Sequence, residues 1–256
     1  MPLLQIHFDL DLPPQHLRAF RAAIAERAGF EHEHFHHHHN RSGPHHYHWS
    51  YPLIQFRAIP GGVQLTGIHA GAHAIKTHLL PRLGSSLRLL DREVPLHSYR
   101  VSERPLQLSR SSTLHHYHLD RWIALNRHNF REWKKTPPDR ARPLLSRALT
   151  GQLRALGEGL GVDRFKEVVG EVHRVAHQRT IRWKNIPMLA FRVQLRCNLQ
   201  LDPALHLGRL AAYGFGRLRG EEKPGGTAPA EGEPRQSHSV FGVCSPMPSP
   251  VRVPPR

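Results

Sequence analysis

A chain of 256 residues has room for one large domain or two small ones with real cores. Its 36 Lys and Arg outweigh 20 Asp and Glu, and the surplus is uneven. Residues 110–219 carry 21 basic against 8 acidic side chains, residues 1–109 carry 11 against 8, and residues 220–256 carry 4 of each. Such an excess points to a polyanionic partner, because each neutralised phosphate releases counterions; it names nucleic acid as a partner class and no activity. Only two cysteines, Cys197 and Cys244, exclude a disulfide framework and a multi-cysteine zinc site. No apolar run reaches about 18 residues, so no membrane span is expected, and the acidic start predicts no signal peptide and a cytoplasmic location.

Leu4, Ile6, Phe8 and Leu10 alternate with polar residues and predict a strand that Pro13-Pro14 breaks. Leu17, Phe20, Ile24 and Ala28 recur at helical spacing and stop at Gly29. After a His-rich stretch over 32–48, Tyr51–Ile59 and Val63–Ile68 predict a hairpin about Pro60-Gly61-Gly62. Ala72–Leu83 predicts a second helix, and Ser86–Leu90 with Val94–Val101 predict closing strands. Strand, helix, strand, strand, helix, strand is the order of a ferredoxin-like domain, here over residues 1–104.

Residues 105–220 repeat the theme. Leu106–Leu108 and Tyr117–Leu125 read as strands or transitional pieces, and Pro143–Leu160 sets Leu145, Leu149, Leu153, Leu156 and Leu160 on one helical stripe. Val172–Trp183 and Met188–Leu199 predict a hairpin about 184–187, and Pro203–Tyr213 predicts a final helix. Cys197, inside an alternating run, reads as a small core residue. From Glu221 onward, eight prolines in 36 residues without periodicity predict a disordered tail over 221–256. The fold class is α+β.

Nine of the 23 histidines fall between residues 32 and 48. Histidine moves protons near neutral pH, binds divalent metals as the neutral imidazole, or stands solvated and inert; composition leaves all three readings open. No HExxH helix is expected, and His32-Glu33-His34 is read with the spacing of a strand rather than a helix, which argues against a zincin-type hydrolase. At the far end, His206 to Arg217 interleaves Gly208, Gly214 and Gly216 with Arg209 and Arg217. Glycines let backbone approach a phosphate and the arginines add charge; a plain helix cap and turn is the alternative. Arg179, Arg182 and Lys184 make a basic hairpin that reads as an RNA grip or a solvated face. His115-His116-Tyr117-His118 and Trp122, Trp133 and Trp183 are further candidates for an RNA face or base stacking, with strand-end solvation and core packing as their counterparts.

Phe35-His36-His37-His38, then Tyr51-Pro52-Leu53-Ile54-Gln55-Phe56-Arg57, then Trp122–Asn126, the segment from Leu149 to Gly161 and the terminal Leu207–Leu218 run resemble, in that order, the CRISPR repeat-processing endoribonucleases of the Cas six group, subtype I-B-like branch. The resemblance spans about residues 3–219. It implies two tandem ferredoxin-like (RRM-like) domains and cleavage of precursor CRISPR RNA within its repeats, with no metal or other cofactor. CRISPR repeat RNA is then the partner; interference-complex subunits and a second copy of the chain are further ones, and a membrane is not. Family histidines carry over to His36 and His38, although His37 and His39 leave the register ambiguous by one. His206 stands where the family's loop has its first glycine.

The chemistry fits. The RNA 2′-hydroxyl attacks the neighbouring phosphate, so a base, an acid and a cation suffice, leaving a 2′,3′-cyclic phosphate and a 5′-hydroxyl. His36 and His38 on a strand would share a face, with Tyr47 orienting the phosphate or a histidine. A non-catalytic RNA-binding protein with a His-rich metal segment is the alternative.

Overall fold

A computed structural model describes residues 1–29, 32–36, 51–137, 140–220 and 240–241. The first sheet is antiparallel. Its strands β1 (Pro2–Phe8), β2 (Ile54–Ile59), β3 (Gly62–Ile68) and, later in the chain, β6 (Tyr99–Pro105) lie in the order β6-β1-β3-β2. That is the ferredoxin-like arrangement. Helix α1 (Leu17–Ala28) buries Leu17, Phe20, Ile24 and Ala28 against Leu4, Ile6 and Phe8, the alternate residues of β1, so both periodicities read in the sequence meet in one core. A one-turn helix α2 (Glu33–His36) follows. The predicted second helix is shorter and less regular: α3 (Ala70–Ala74) passes into a wide turn over Ile75–Leu79 and a tight one over Leu80–Arg82, where Pro81 brings no amide donor. The predicted closing strands become a separate hairpin, β4 (Ser86–Leu89) with β5 (Arg92–Pro95), followed by β6.

The second sheet repeats the order. Strands β7 (Ser109–Trp122), β8 (Gly170–Trp183), β9 (Ile186–Gln200) and β10 (Arg217–Gly220) lie as β10-β7-β9-β8, all antiparallel. A short helix, α4 (Arg127–Trp133), is capped by the Asn126 side chain on the Asn129 amide at 2.8 Å. The long helix α5 (Ala141–Gly159) covers one face with its predicted leucine stripe. One 14-residue strand, β7, replaces the two short pieces expected before the helix, because bulges between Arg110 and His115 and between Leu119 and Trp122 break its pattern. The β8–β9 hairpin closes through two residues with left-handed backbone, Lys184 and Asn185 (φ 47° and 63°), the geometry that matches strand twist.

The two sheets share a core. Leu3 and Ile68 of the first and Tyr51 ahead of β2 pack with Trp122, Phe191, Leu205 and Leu207 of the second. Buried Cys197 behaves as the core residue expected, its thiol pushed up to about 11 by burial. The tail reading falls outside the described residues, except Val240–Phe241, which form a short strand β11 on the edge of β6.

Candidate functional site

The predicted final helix is not one. Between β9 and β10, where a ferredoxin-like domain carries its second helix, the chain makes a loop with left-handed backbone at Gly208 (φ 94°), Leu210 (63°), Gly214 (77°) and Gly216 (69°), four places that break a helical path. A side chain on Gly216 would lie 1.7 Å from the Leu207 carbonyl oxygen; on Gly208 it would strike the Trp122 ring at 2.7 Å, and on Gly214 the Phe56 carbonyl of β2 at 3.0 Å. At all three glycines a Cβ would press on the protein itself, so close packing of this loop requires them.

Buried polar groups fix the loop between the domains. The Tyr51 hydroxyl donates to the His206 carbonyl at 2.9 Å and accepts from the Gln55 amide at 2.8 Å, while Gln55 Oε1 accepts from the His206 backbone N–H at 3.2 Å. His206 Nδ1 lies 3.3 Å from the Ala211 carbonyl, which requires the proton on Nδ1. Complete burial and then the charge of Arg57 hold this imidazole down to about 4, so it is neutral. Asp202, fully buried, receives a bidentate pair of bonds from Arg104 at 2.6 and 2.8 Å and the Gln107 and Ala204 amides; against the upward push of burial these keep its carboxyl below the usual range.

On one side of the loop lies a cleft of about 670 Å³ lined by six arginines, Arg57, Arg121, Arg179, Arg192, Arg217 and Arg219. They reach it from β2, β7, β8, β9 and β10. Burial, then Arg217 and Arg219, lower Arg57 to about 10; burial and then Arg179 lower Arg121. Asp120 holds Arg192 at 2.8 Å and Arg219 at 3.1 Å, setting their heads side by side. Guanidinium groups converging on one cleft suit phosphates.

On the other side, α1 and α2 meet the loop through Arg21. Its guanidinium donates to the Phe35 carbonyl at 3.1 Å and lies 4.7 Å over the Tyr213 ring, and burial lowers its pKa. Tyr213 packs on Trp183 with ring centres 4.7 Å apart, and Arg18 lies over Trp183. The backbone next to His36 is thereby tied to the glycine-rich loop.

The expected site residues divide. Arg179, Arg217 and Gly214 meet in the arginine cleft. Gly208 and Arg209 line a second cleft, and Gly216 is buried in the loop. Arg182, an odd number of residues from Arg179 along β8, faces the other way, and Lys184 sits in the turn. Trp122 is core, donating to Gln152 at 2.6 Å, while the half-buried Trp133 packs on Phe191 and Trp183 on Tyr213. Tyr117 is likewise buried, its hydroxyl bonded to Leu199 and Leu201. His38 and Tyr47 lie outside the described residues. His36 ends α2, so the strand reading of His32-Glu33-His34 is overturned, whereas the shared-face argument for His36 and His38 reaches beyond the described residues. Residues 32–36 moreover run His-Glu-His-Phe-His, with His32 and His36 four apart; the sequence argument against an HExxH helix therefore falls too. The His32 ring stacks on His78 with centres 3.5 Å apart, and among the described residues no three His, Cys, Asp or Glu side chains gather to hold a metal.

The sequence does not single out Arg57, Arg121, Arg192 and Arg219 as cleft residues; the alternation of Arg217 and Arg219 in β10 is the one local signal. Arg21 and Tyr51 carry no sequence mark of their roles.

Comparison with known proteins agrees with this architecture. The Cas6b N-terminal domain model matches residues 1–107 and the Cas6b C-terminal domain model residues 109–220. Two solved structures resemble the chain: "Crystal structure of Cas6b" with a TM-score of 0.71 and 20% identity, and "Crystal structure of CRISPR RNA processing endoribonuclease Cas6b" with 0.62 and 19%. Each alignment covers 86% of this chain and 100% of the other. No curated protein sequence matches significantly. No helix among the described residues is long and apolar enough to cross a membrane. With both domain models matched in order over nearly all of residues 1–220, the chain belongs to the Cas6b family.

Proposed function

We propose that this chain, an endoribonuclease of the Cas6b family, cuts precursor CRISPR RNA within its repeats by attack of the 2′-hydroxyl on the adjacent phosphate, without a metal ion. The observation that carries the reading is the junction at the glycine-rich loop. A six-arginine cleft opens on one side of it, and on the other Arg21 ties the start of the His-rich segment to Tyr213.

A strand held by its phosphates in the cleft presents a neighbouring ribose to that segment. One imidazole of the pair His36 and His38 takes the 2′-hydroxyl proton, and the other, protonated, gives one to the departing 5′-oxygen. Tyr47 orients the phosphate, and a guanidinium meets the charge that develops on it. Arg179, Arg209, Arg217, Arg182 and Lys184 hold RNA phosphates, while Gly208, Gly214 and Gly216 shape the loop.

The test is single-turnover cleavage of repeat RNA in excess EDTA. Persistent cleavage leaving a 2′,3′-cyclic phosphate, and a loss of about 10²–10⁴-fold in rate in His36→Ala or His38→Ala with RNA binding retained, is expected. Activity that returns only on adding zinc or nickel overturns the mechanism.

A further inference from the structure

We propose that a second cleft, bounded by α4, α5 and the Gly208–Arg209 end of the loop, is a second RNA subsite. It takes unpaired nucleotides beside the cut phosphate, and it rests on the RNA-processing reading above. The cavity measures about 660 Å³.

Its place is the first argument. The glycine-rich loop belongs to both clefts, with Gly208 and Arg209 in this one and Gly214 and Arg217 in the other. The approach to β2 does the same: Tyr51 and Pro52 line this cleft, Arg57 and Ala58 the arginine cleft. RNA engaged at the loop therefore has two recesses that the loop helps to line.

The second argument is chemistry. The arginine cleft offers charge, which suits backbone phosphates. This one is lined by aliphatic Ala124, Leu144, Ala148 and Ala155 together with Arg127, Arg209, His128 and Asn129. Glu132, which also lines it, is occupied by Arg147. Aliphatic side chains beside cationic and amide groups fit unpaired bases, which offer apolar faces and hydrogen-bonding edges on a charged backbone. Paired bases keep their faces stacked and cannot use it.

The third argument is Gly151. It is exposed in the interior of α5, lines the cleft, and has no atom within 4 Å of where a Cβ would stand. Glycine in a helix interior costs about 1 kcal/mol relative to alanine. No packing requirement explains it; keeping the recess open does.

The experiment compares wild type, Gly151→Leu and Arg219→Glu in binding a short unpaired oligoribonucleotide and in cleaving repeat RNA. Leucine at 151 fills the recess. It is expected to weaken oligonucleotide binding by about tenfold, the loss of roughly one stacked base, and to slow cleavage at subsaturating RNA while the chain melts no lower than wild type. Oligonucleotide binding and cleavage like wild type in Gly151→Leu overturn the subsite, including in favour of a protein occupant, and leave the RNA-processing reading intact. Wild-type binding and cleavage in Arg219→Glu strike at that reading instead.

Discussion

The Tyr51 hydroxyl donates to the His206 carbonyl across the junction of the two domains at 2.9 Å, with both residues buried. Tyr51 stands just ahead of β2 in the first domain, and His206 begins the glycine-rich loop of the second. Gln55 completes the clamp by bonding both. Beside the shared apolar core, the relative placement of the two domains rests on polar groups that suffer a heavy desolvation penalty if parted.

Tyr51→Phe keeps the ring packed and removes one hydroxyl, leaving the buried His206 carbonyl without this donor. A loss of about 1–3 kcal/mol in unfolding free energy is expected from denaturant titration. An unchanged midpoint would mean that the carbonyl finds another donor, and the clamp would lose its central bond.

His206 makes stability depend on pH. Its folded value, about 4, lies below the ordinary 6.5, so below pH 6.5 the unfolded chain binds a proton that the folded chain refuses. The stability is fully present above pH 6.5 and is lost progressively as pH falls toward 4. Between pH 7.5 and pH 5 this group removes roughly 2 kcal/mol. His206→Asn is expected to flatten that part of the profile, measured as unfolding free energy at the two pH values. An identical slope in the variant would refute the assignment.

Much of the first domain is legible in the sequence because its helix and strand periodicities are clean: Leu4, Ile6 and Phe8 on β1 and Leu17, Phe20, Ile24 and Ala28 on α1 meet as spaced. The leucine stripe of α5 is equally plain. The loop after β9 imitates a helix because Leu205, Leu207, Leu210 and Ala211 recur at near-helical spacings, while the deciding signal, the left-handed backbone at Gly208, Leu210, Gly214 and Gly216, is not a periodicity. The arginine cleft is invisible for a different reason. Its six side chains come from five strands in two sheets, and only the packing of the two domains brings Arg57 of one beside Arg217 of the other.

The glycines separate packing from RNA contact. Gly216→Ala places a Cβ against the Leu207 carbonyl and strains a positive φ, so it is expected to lower the melting temperature sharply and RNA binding only through lost fold. Gly214→Ala, with 3.0 Å to the Phe56 oxygen, is expected to be milder. Circular-dichroism melts rank the two. Folded variants of both that fail to bind RNA would return the glycines to direct phosphate contact.

Charge reversal tests the cleft itself. Arg219→Glu or Arg179→Glu is expected to weaken repeat binding and to lower the slope of log affinity against log salt by about one for each phosphate that is no longer neutralised. Asp120 frames the same cleft through Arg192 and Arg219, so Asp120→Asn should change affinity less than either reversal while loosening both guanidiniums. A salt slope equal to wild type in the arginine variants would place the RNA elsewhere.

Arg21 is the last link, because it reaches the Phe35 carbonyl at 3.1 Å with its head over the Tyr213 ring. It does not line the arginine cleft, so on the proposed mechanism its loss is expected to act on the cleavage rate rather than on RNA affinity. Arg21→Met keeps much of the apolar stem but loses the bond to Phe35 and the charge over Tyr213. The expected result is a fall of about tenfold or more in the single-turnover rate at saturating RNA, with the dissociation constant for uncleaved repeat near that of wild type. Arg21→Lys, which keeps the charge and not the planar fork, should recover part of the rate. A variant that loses binding and cleavage together, with a lowered melting temperature, would reduce Arg21 to a structural residue of the α1–α2 corner. One that cleaves at the wild-type rate would remove the tie between the His-rich segment and the loop from the mechanism.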